Sequence, residues 1–470
     1  MDDLWQIEAM IEAMSARPVR EMPEGIGGIS IDSRSLQKGD AYFAIKGEVH
    51  DGHAFISAAQ RAGAGLAVVS EDKLASLGAT TLPLLVVHDV LEALENLGRA
   101  ARSRSLGQII AITGSVGKTS TKEAMRHVLA ASGKVHASIA SFNNHWGVPL
   151  SLARMPLDAD FGIFEIGMNH PGEISPLVKM VQPHIVLINN VEAAHLGAFS
   201  GLEDIARAKA EIFEGLVAGG YAVLNRDNEH YDLLVTLAGY AGVDQIVSFG
   251  EHEEAQVRLK KVKLHDQCSC VTVDIFTEDA AIKVGAPGRH IVQNILGVVA
   301  VAKLTGTDMT KSALALGDIP LEKGRGTRHE LQAGGGSFML IDESYNANPT
   351  SMQAAIAMLE SASPGQRGRR IAVLGDMLEM GETSADFHVA LAPVLEKAGI
   401  DQVFLVGPMM KHLADILQDK MLASHVADVR EIEPLLFAAI HAGDVVMVKA
   451  SKGIGFAGLI ESLVKKFKCN

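Results

Sequence analysis

The chain has 470 residues, too many for a single hydrophobic core, and a typical domain size of roughly 150 residues divides it into about three domains. Hydrophobic residues make up 48% and charged residues 21%, an ordinary globular balance that excludes extended disorder. The formal net charge of −14 excludes a nucleic-acid-binding face, which needs a basic surface, so an anionic ligand must be held by local positive groups.

The acidic start Met1-Asp2-Asp3-Leu4 lacks the basic-then-apolar order of a secretory signal, and apolar runs such as Ile185–Ile188 are strand-sized. A soluble, cytoplasmic protein without membrane insertion is therefore expected. Cys268, Cys270 and Cys469 form neither a zinc spacing nor an even disulfide framework and read as incidental. Residues 1–103 read as a small α/β unit. It has an amphipathic helix over Leu4–Met14, short strands near Ile29–Ile31, Ala41–Ala44, Leu66–Val69 and Leu84–Val87, and a helix over Val90–Ala101. Arg102-Ser103-Arg104-Ser105 marks the boundary. Over residues 104–325, near-continuous apolar strands at Ile109–Ile112, Phe161–Phe164, His184–Ile188 and Tyr221–Leu224 alternate with helices. That rhythm predicts a parallel sheet covered on both faces, with ligands at the strands' carboxyl ends. Val257–Phe276 reads as a hairpin insertion and Ile291–Leu304 as a closing helix. Residues 326–470 form a third, Rossmann-like unit with strands at Met339–Ile341, Ile371–Leu374, Val403–Val406 and Val445–Val448. The fold class is α/β in three domains, the central one a phosphate-loop domain.

The strongest local signal is Thr113-Gly114-Ser115-Val116-Gly117-Lys118-Thr119, between a buried strand and a helix. Glycines let backbone N–H groups turn toward phosphate, the helix N-terminus adds positive charge, Lys118 can reach the β/γ-phosphates and Thr119 can ligate Mg²⁺. Ile112 stands where GxxxxGK[ST] has its first glycine, so this is a shortened variant. Glu165 ends its strand at the same sheet edge, where a carboxylate is placed to hold Mg²⁺. His195 follows the strand ending at Ile188; a lone histidine is more often a satisfied surface or core residue. Lys209, in Ala208-Lys209-Ala210, reads from its own surroundings as a solvated helix face.

The ordered series Asp32-Ser33-Arg34, the 113–119 loop, Asn143-Asn144-His145-Trp146-Gly147, Glu165-Ile166-Gly167-Met168-Asn169, Asn190 to His195, Ala208-Lys209-Ala210-Glu211 and Gly288-Arg289-His290 with Asn294 resembles the Mur ligase family across essentially the whole chain. Asp342-Glu343-Ser344-Tyr345-Asn346-Ala347-Asn348-Pro349 and Leu374 to Gly381 resemble its D-alanyl-D-alanine-adding branch. The resemblance implies an ATP-dependent ligase whose small-molecule substrates are UDP-N-acetylmuramoyl-tripeptide and D-alanyl-D-alanine, working as a monomer with two Mg²⁺ ions. It implies that Thr119 and Glu165 hold the first ion, and that His195 and a carbamylated Lys209 hold the second. Thr113 to Thr119, Asn294, Arg325 and Asp342 would meet the nucleotide. Ser33, Arg34, Lys46 and the Asp51-Gly52-His53 turn would bind the UDP-sugar. Asn143, Asn144, Tyr345, Asn346, Asn348, Lys449 and Ser451 would contact the remaining substrate portions. Departures are Val116 in the phosphate loop, Ser141 before Asn143-Asn144, and Lys449-Ala450-Ser451-Lys452, where Lys452 cannot reproduce arginine's planar fork. No strong general base stands out; His170 is one choice. Ligases of the same architecture that attach a single amino acid or glutamate, and a phosphate-loop nucleotide switch, remain the alternatives.

Overall fold

The computed structural model describes residues 3–139, 141–193 and 196–468. Three α/β domains follow one another along the chain, each built on a largely parallel sheet. The first carries a five-stranded sheet in the order 17–19, 84–87, 66–70, 41–43, 29–30, in which only the 17–19 edge is antiparallel. Its first helix is Ile7–Met14, shorter than the sequence pattern. Trp5 and Gln6 instead pair with Gly25 and Ile26, and the Trp5 indole donates to Ala153 O at 2.8 Å under the Arg104 guanidinium. The helix Val90–Arg104 runs through the expected boundary. Arg102 donates to Val181 O and Gln182 O in the next domain, at 2.8 Å in each case.

The central domain holds a nine-stranded sheet in the order 278–284, 269–275, 257–264, 245–250, 221–225, 185–188, 108–113, 161–165, 135–137. Strands 135–137 through 257–264 are parallel, and the hairpin insertion adds antiparallel strands at one edge. Alternation along Gln108–Thr113 explains its place at the centre. Ile110 and Ile112 join the core under helices Lys118–Leu129 and Arg289–Leu304, while Ile109 and Ala111 join the opposite core under Ile174–Val181 and Leu202–Ala210. Each fully buried side chain of this size contributes about 1.5–3 kcal/mol, so the strand and the loop leaving it are rigidly seated.

The C-terminal domain has six strands in the order 327–333, 336–342, 445–449, 370–375, 402–406, 422–426, parallel apart from the first pair. Among the described residues no helix is long and apolar enough to cross a membrane. Cys268 and Cys270 are free; Cys469 lies outside the described residues.

Candidate active site

The carboxyl ends of the central strands open into a cleft of about 810 Å³, closed on its far side by residues 343–355 and Lys449 of the C-terminal domain. The phosphate loop forms its floor. Gly114 leaves the strand at φ +155° and Gly117 enters the helix at φ +80°. The left-handed backbone at Gly117 requires glycine, and a Cβ would also displace the Asn294 side chain, whose Nδ2 it would approach to 2.6 Å. Between them the loop is bolted to the neighbouring strand's end. The Ser115 N–H donates to Asn190 O at 3.1 Å, the Val116 N–H to Asn190 Oδ1 at 3.0 Å, and Ser115 Oγ to Glu192 O at 2.9 Å. Val116 thus engages through its backbone. Thr113 is buried, with its Oγ1 unpartnered.

Helix Lys118–Leu129 has no side-chain cap. The first-turn N–H groups of Lys118, Thr119 and Ser120 have no acceptor within the helix, and all three residues line the cleft. Aligned with the helix dipole, they constitute an anion site. Lys118 Nζ donates to Gly114 O at 2.6 Å. Burial pushes its ammonium below the ordinary range, Glu165 partly restores it, and Arg325 lowers it again.

Glu165 ends its strand only 1% exposed. Its Oε1 accepts from Asn143 Nδ2 at 2.7 Å, whereas Oε2 is buried without a partner. Gly167 makes room for this arrangement, since a Cβ there would lie 2.8 Å from Asn143 Cγ. A buried carboxylate oxygen without a hydrogen-bond partner, on a residue that lines the same cleft as Thr119, suits a hard cation such as Mg²⁺. Lys209 is buried on helix Leu202–Ala210, not on a solvated face. Burial holds its amine well below the usual lysine range, and Lys118 lowers it further. His195 lies outside the described residues.

At the domain border, Arg325 lies over the Tyr345 ring at 4.0 Å and pairs with Glu322 at 3.2 Å. The Tyr345 hydroxyl meets Ser141 Oγ at 2.5 Å across the domain border. Lys449, 2% exposed, donates to Asn346 O at 2.9 Å and Glu343 Oε2 at 3.2 Å. Burial depresses its ammonium and Glu343 opposes the shift. Asn348 caps helix Pro349–Ser361 in a reciprocal pair with Ser351.

Models of the Mur ligase family match in succession: the catalytic domain over residues 25–102, the middle domain over 112–302 and the glutamate ligase domain over 327–452. The UDP-N-acetylmuramoyl-tripeptide--D-alanyl-D-alanine ligase of Rickettsia prowazekii is 34% identical over 92% of this chain and 94% of its own length. The chain belongs to the Mur ligase family. This Mur ligase is also similar to the crystal structure of MurF from Acinetobacter baumannii, with 29% identity, a TM-score of 0.84, and coverage of 98% of this chain and 99% of that one. MurF ligase from Thermotoga maritima, solved in complex with ADP, is 26% identical with a TM-score of 0.76, covering 93% and 97%.

Several sequence-assigned residues of this Mur ligase serve the cleft from behind. Asp342 is fully buried and accepts from Gly324 N at 3.0 Å, Ser344 N at 3.1 Å and Ser344 Oγ at 2.6 Å. It thereby sets the turns that present Arg325 and Tyr345. Asn144 Oδ1 accepts from Gly147 N at 3.0 Å, capping helix Gly147–Ala153. Ser451 donates to Ala347 O at 3.2 Å and accepts the Leu378 N–H at 2.9 Å. His170 points to Glu173 at 3.1 Å with its side chain 68% exposed and is not among the cleft-lining residues.

The UDP-directed set lies in the first domain, also outside this cleft. Ser33 sits between Asp32 and Arg34, whose side chains pair at 2.7 Å. Lys46 bridges to Asp51 through the backbone. Asp51 Oδ1 accepts from His53 N at 3.0 Å and faces His53 Nδ1 at 2.6 Å, while His53 Nε2 accepts the Ser70 N–H at 3.0 Å. Glu123, Glu192, Glu322 and Glu343 line the cleft without a role assigned to them from the sequence. Glu123 stands within helix Lys118–Leu129, whereas Glu192, Glu322 and Glu343 lie on loops.

Proposed function

We propose that this Mur ligase joins D-alanyl-D-alanine to UDP-N-acetylmuramoyl-tripeptide with cleavage of ATP to ADP and phosphate, yielding the UDP-muramoyl-pentapeptide. The observation that carries this reading is one cleft in which an uncapped, lysine-bearing phosphate loop faces Tyr345, Asn346, Asn348 and Lys449 of the C-terminal domain. Nucleotide chemistry on one wall and an acceptor on the other can then meet in a single enclosed space.

The phosphate groups of ATP lie on residues 113–119, with Asn294 beside Gly117 and Arg325 at the domain border reaching the nucleotide. Asp342 acts through the turn that carries Arg325. A terminal carboxylate oxygen of the tripeptide attacks the γ-phosphorus and the bond to ADP breaks, giving an acyl phosphate. The dipeptide's amine nitrogen then attacks the acyl carbon. The tetrahedral adduct expels phosphate with the C–O bonding electrons and the nitrogen loses its proton. Lys118 and the first-turn N–H groups offset the repulsion between the two anions at the first step, where pre-organised charge has most effect. Thr119 and Glu165 would hold one Mg²⁺ and, as the family resemblance implies, Lys209 with His195 a second; such ions would supply positive charge against the phosphates.

Lys209 suits carbamylation. Its depressed basicity supplies a neutral amine whose nitrogen bonds to CO₂ with loss of a proton, and the resulting anion exchanges repulsion by Lys118 for attraction. Ser33, Arg34, Lys46, Asp51 and His53 receive the UDP-sugar on the first domain. The reaction belongs to the cytoplasm, where ATP is available. The test is phosphate release with ATP alone, with each substrate, and with both, alongside product mass. Release should require both substrates and accompany pentapeptide; release independent of them would identify a nucleotide switch instead.

A further inference from the structure

One direct bond between the central and C-terminal domains starts from the phosphate loop. Ser115 Oγ is held twice by the main chain of Glu192, donating to its carbonyl at 2.9 Å and accepting its N–H at 3.0 Å. With the two Asn190 contacts to Ser115 and Val116, segment 190–192 moves as one body with the loop. The Glu192 side chain, half-buried and lining the cleft, then crosses to the C-terminal domain, where Oε2 accepts from Thr350 Oγ1 at 3.1 Å. Thr350 lies in the first turn of the 13-residue helix Pro349–Ser361, so the carboxylate also meets the positive end of that helix's dipole. The helix begins where the acceptor-side loop Tyr345–Asn348 ends, and Asn348 caps it. Ser115, Glu192, Thr350 and the acceptor loop therefore form one chain of short contacts across the cleft.

We propose that Glu192 is a positioning residue: its carboxylate, braced on the phosphate loop, sets the distance at which the C-terminal domain presents the acceptor amine to the activated carboxylate. This inference rests on the ligase reading and adds a residue that the phosphate-loop chemistry itself does not use. Because Ser115 is gripped by the backbone of Glu192, E192A leaves the loop's own contacts in place. The strut therefore acts on the second half-reaction and not on the first.

The experiment is a double-mutant cycle on the full-length enzyme with E192A, T350V and the pair, plus T350S. Two quantities are read: KM for D-alanyl-D-alanine in the complete reaction, and the rate of first-turnover ADP formation with ATP, Mg²⁺ and the UDP-tripeptide. Loss of one hydrogen bond to a charged acceptor predicts a KM increase of roughly 10-fold in either single variant. The double variant should be no worse than the singles, T350S should restore the wild-type value, and first-turnover ADP formation should be unchanged. Independent, multiplying effects, an unchanged KM, or an equal loss in ADP formation would overturn the proposal. If E192A does not fold, T350V and T350S on the helix's outer turn read the same bond. A wild-type enzyme that makes no pentapeptide would refute the ligase reading itself, whereas normal ligation with an insensitive KM refutes only the strut.

Discussion

Asn143→Ala removes one side-chain amide and little else. The Asn143 carbonyl, which accepts the Gly167 N–H at 2.9 Å, is retained, and the space beside Gly167 simply opens. What is lost is the 2.7 Å bond to Glu165 Oε1, the only hydrogen bond to that carboxylate's side-chain oxygens among the described residues. With it in place, Oε1 is occupied and Oε2 is left without a partner. Without it the carboxylate can rotate, and two buried oxygens rather than one lack a donor. A hydrogen bond to a charged group is worth about 1.5–3 kcal/mol, and outer-shell partners of metal ligands typically govern affinity by about 10- to 100-fold. The Mg²⁺ concentration at half-maximal ADP formation should therefore rise by about 10- to 100-fold, with turnover largely recovered at saturating Mg²⁺. The assay is a Mg²⁺ titration of substrate-dependent ADP formation for wild type and variant. An unchanged midpoint would show that Asn143 does not orient a metal-binding carboxylate, and the assignment of Glu165 would lose its structural support.

In Gly117→Ala the left-handed backbone alone costs about 1–2 kcal/mol, and the new methyl meets Asn294. Calorimetric affinity for a non-hydrolysable ATP analogue should fall by roughly 10-fold or more, and an undiminished affinity would remove the loop from nucleotide binding. Lys209→Ala should be inactive and partly rescued by short carboxylic acids such as acetate, with wild-type activity falling reversibly in CO₂-free buffer; full activity of the variant would exclude the carbamate. The His136 ring is depressed to about 4, first by burial, with its bond to Ser151 O opposing and Arg154 adding to the shift. The unfolded chain then binds more protons than the native one between roughly pH 6.5 and 4. Stability from this group is complete above about 6.5 and disappears as pH falls through 4, on the order of 3 kcal/mol. His136→Gln should flatten the fall of the thermal midpoint across that window, and an unaltered slope would contradict the assignment.

Elements with strong local signals are legible in the sequence alone. The strand Gln108–Thr113 is apolar on both faces because both faces are covered, and its glycine-bracketed exit announces a phosphate loop. Edge strands are not legible in this way. Thr327–Ala333 reads TRHELQA and alternates between exposed and buried only over Glu330–Ala333, a pattern that acquires meaning only through pairing with Gly336–Asp342. Arg17–Val19 and Val135–Ala137 are too short and too polar for periodicity to reveal. At the site, Lys118, Glu165 and Asn143 follow from motif order. The backing role of Asp342 and the capping role of Asn144 depend on which N–H groups the fold leaves unpaired, a tertiary fact. Glu192 shows the same limit, since its partner Thr350 is 158 positions away.

The central claim is that the tripeptide's own carboxylate oxygen becomes bonded to the phosphorus of ATP before the amide forms. Carrying out the complete reaction with that carboxylate labelled in both oxygens with ¹⁸O, and weighing the inorganic phosphate released, tests it most directly. The account predicts one ¹⁸O in each phosphate formed, with the other retained in the new amide. Phosphate free of label, formed alongside pentapeptide, would contradict it.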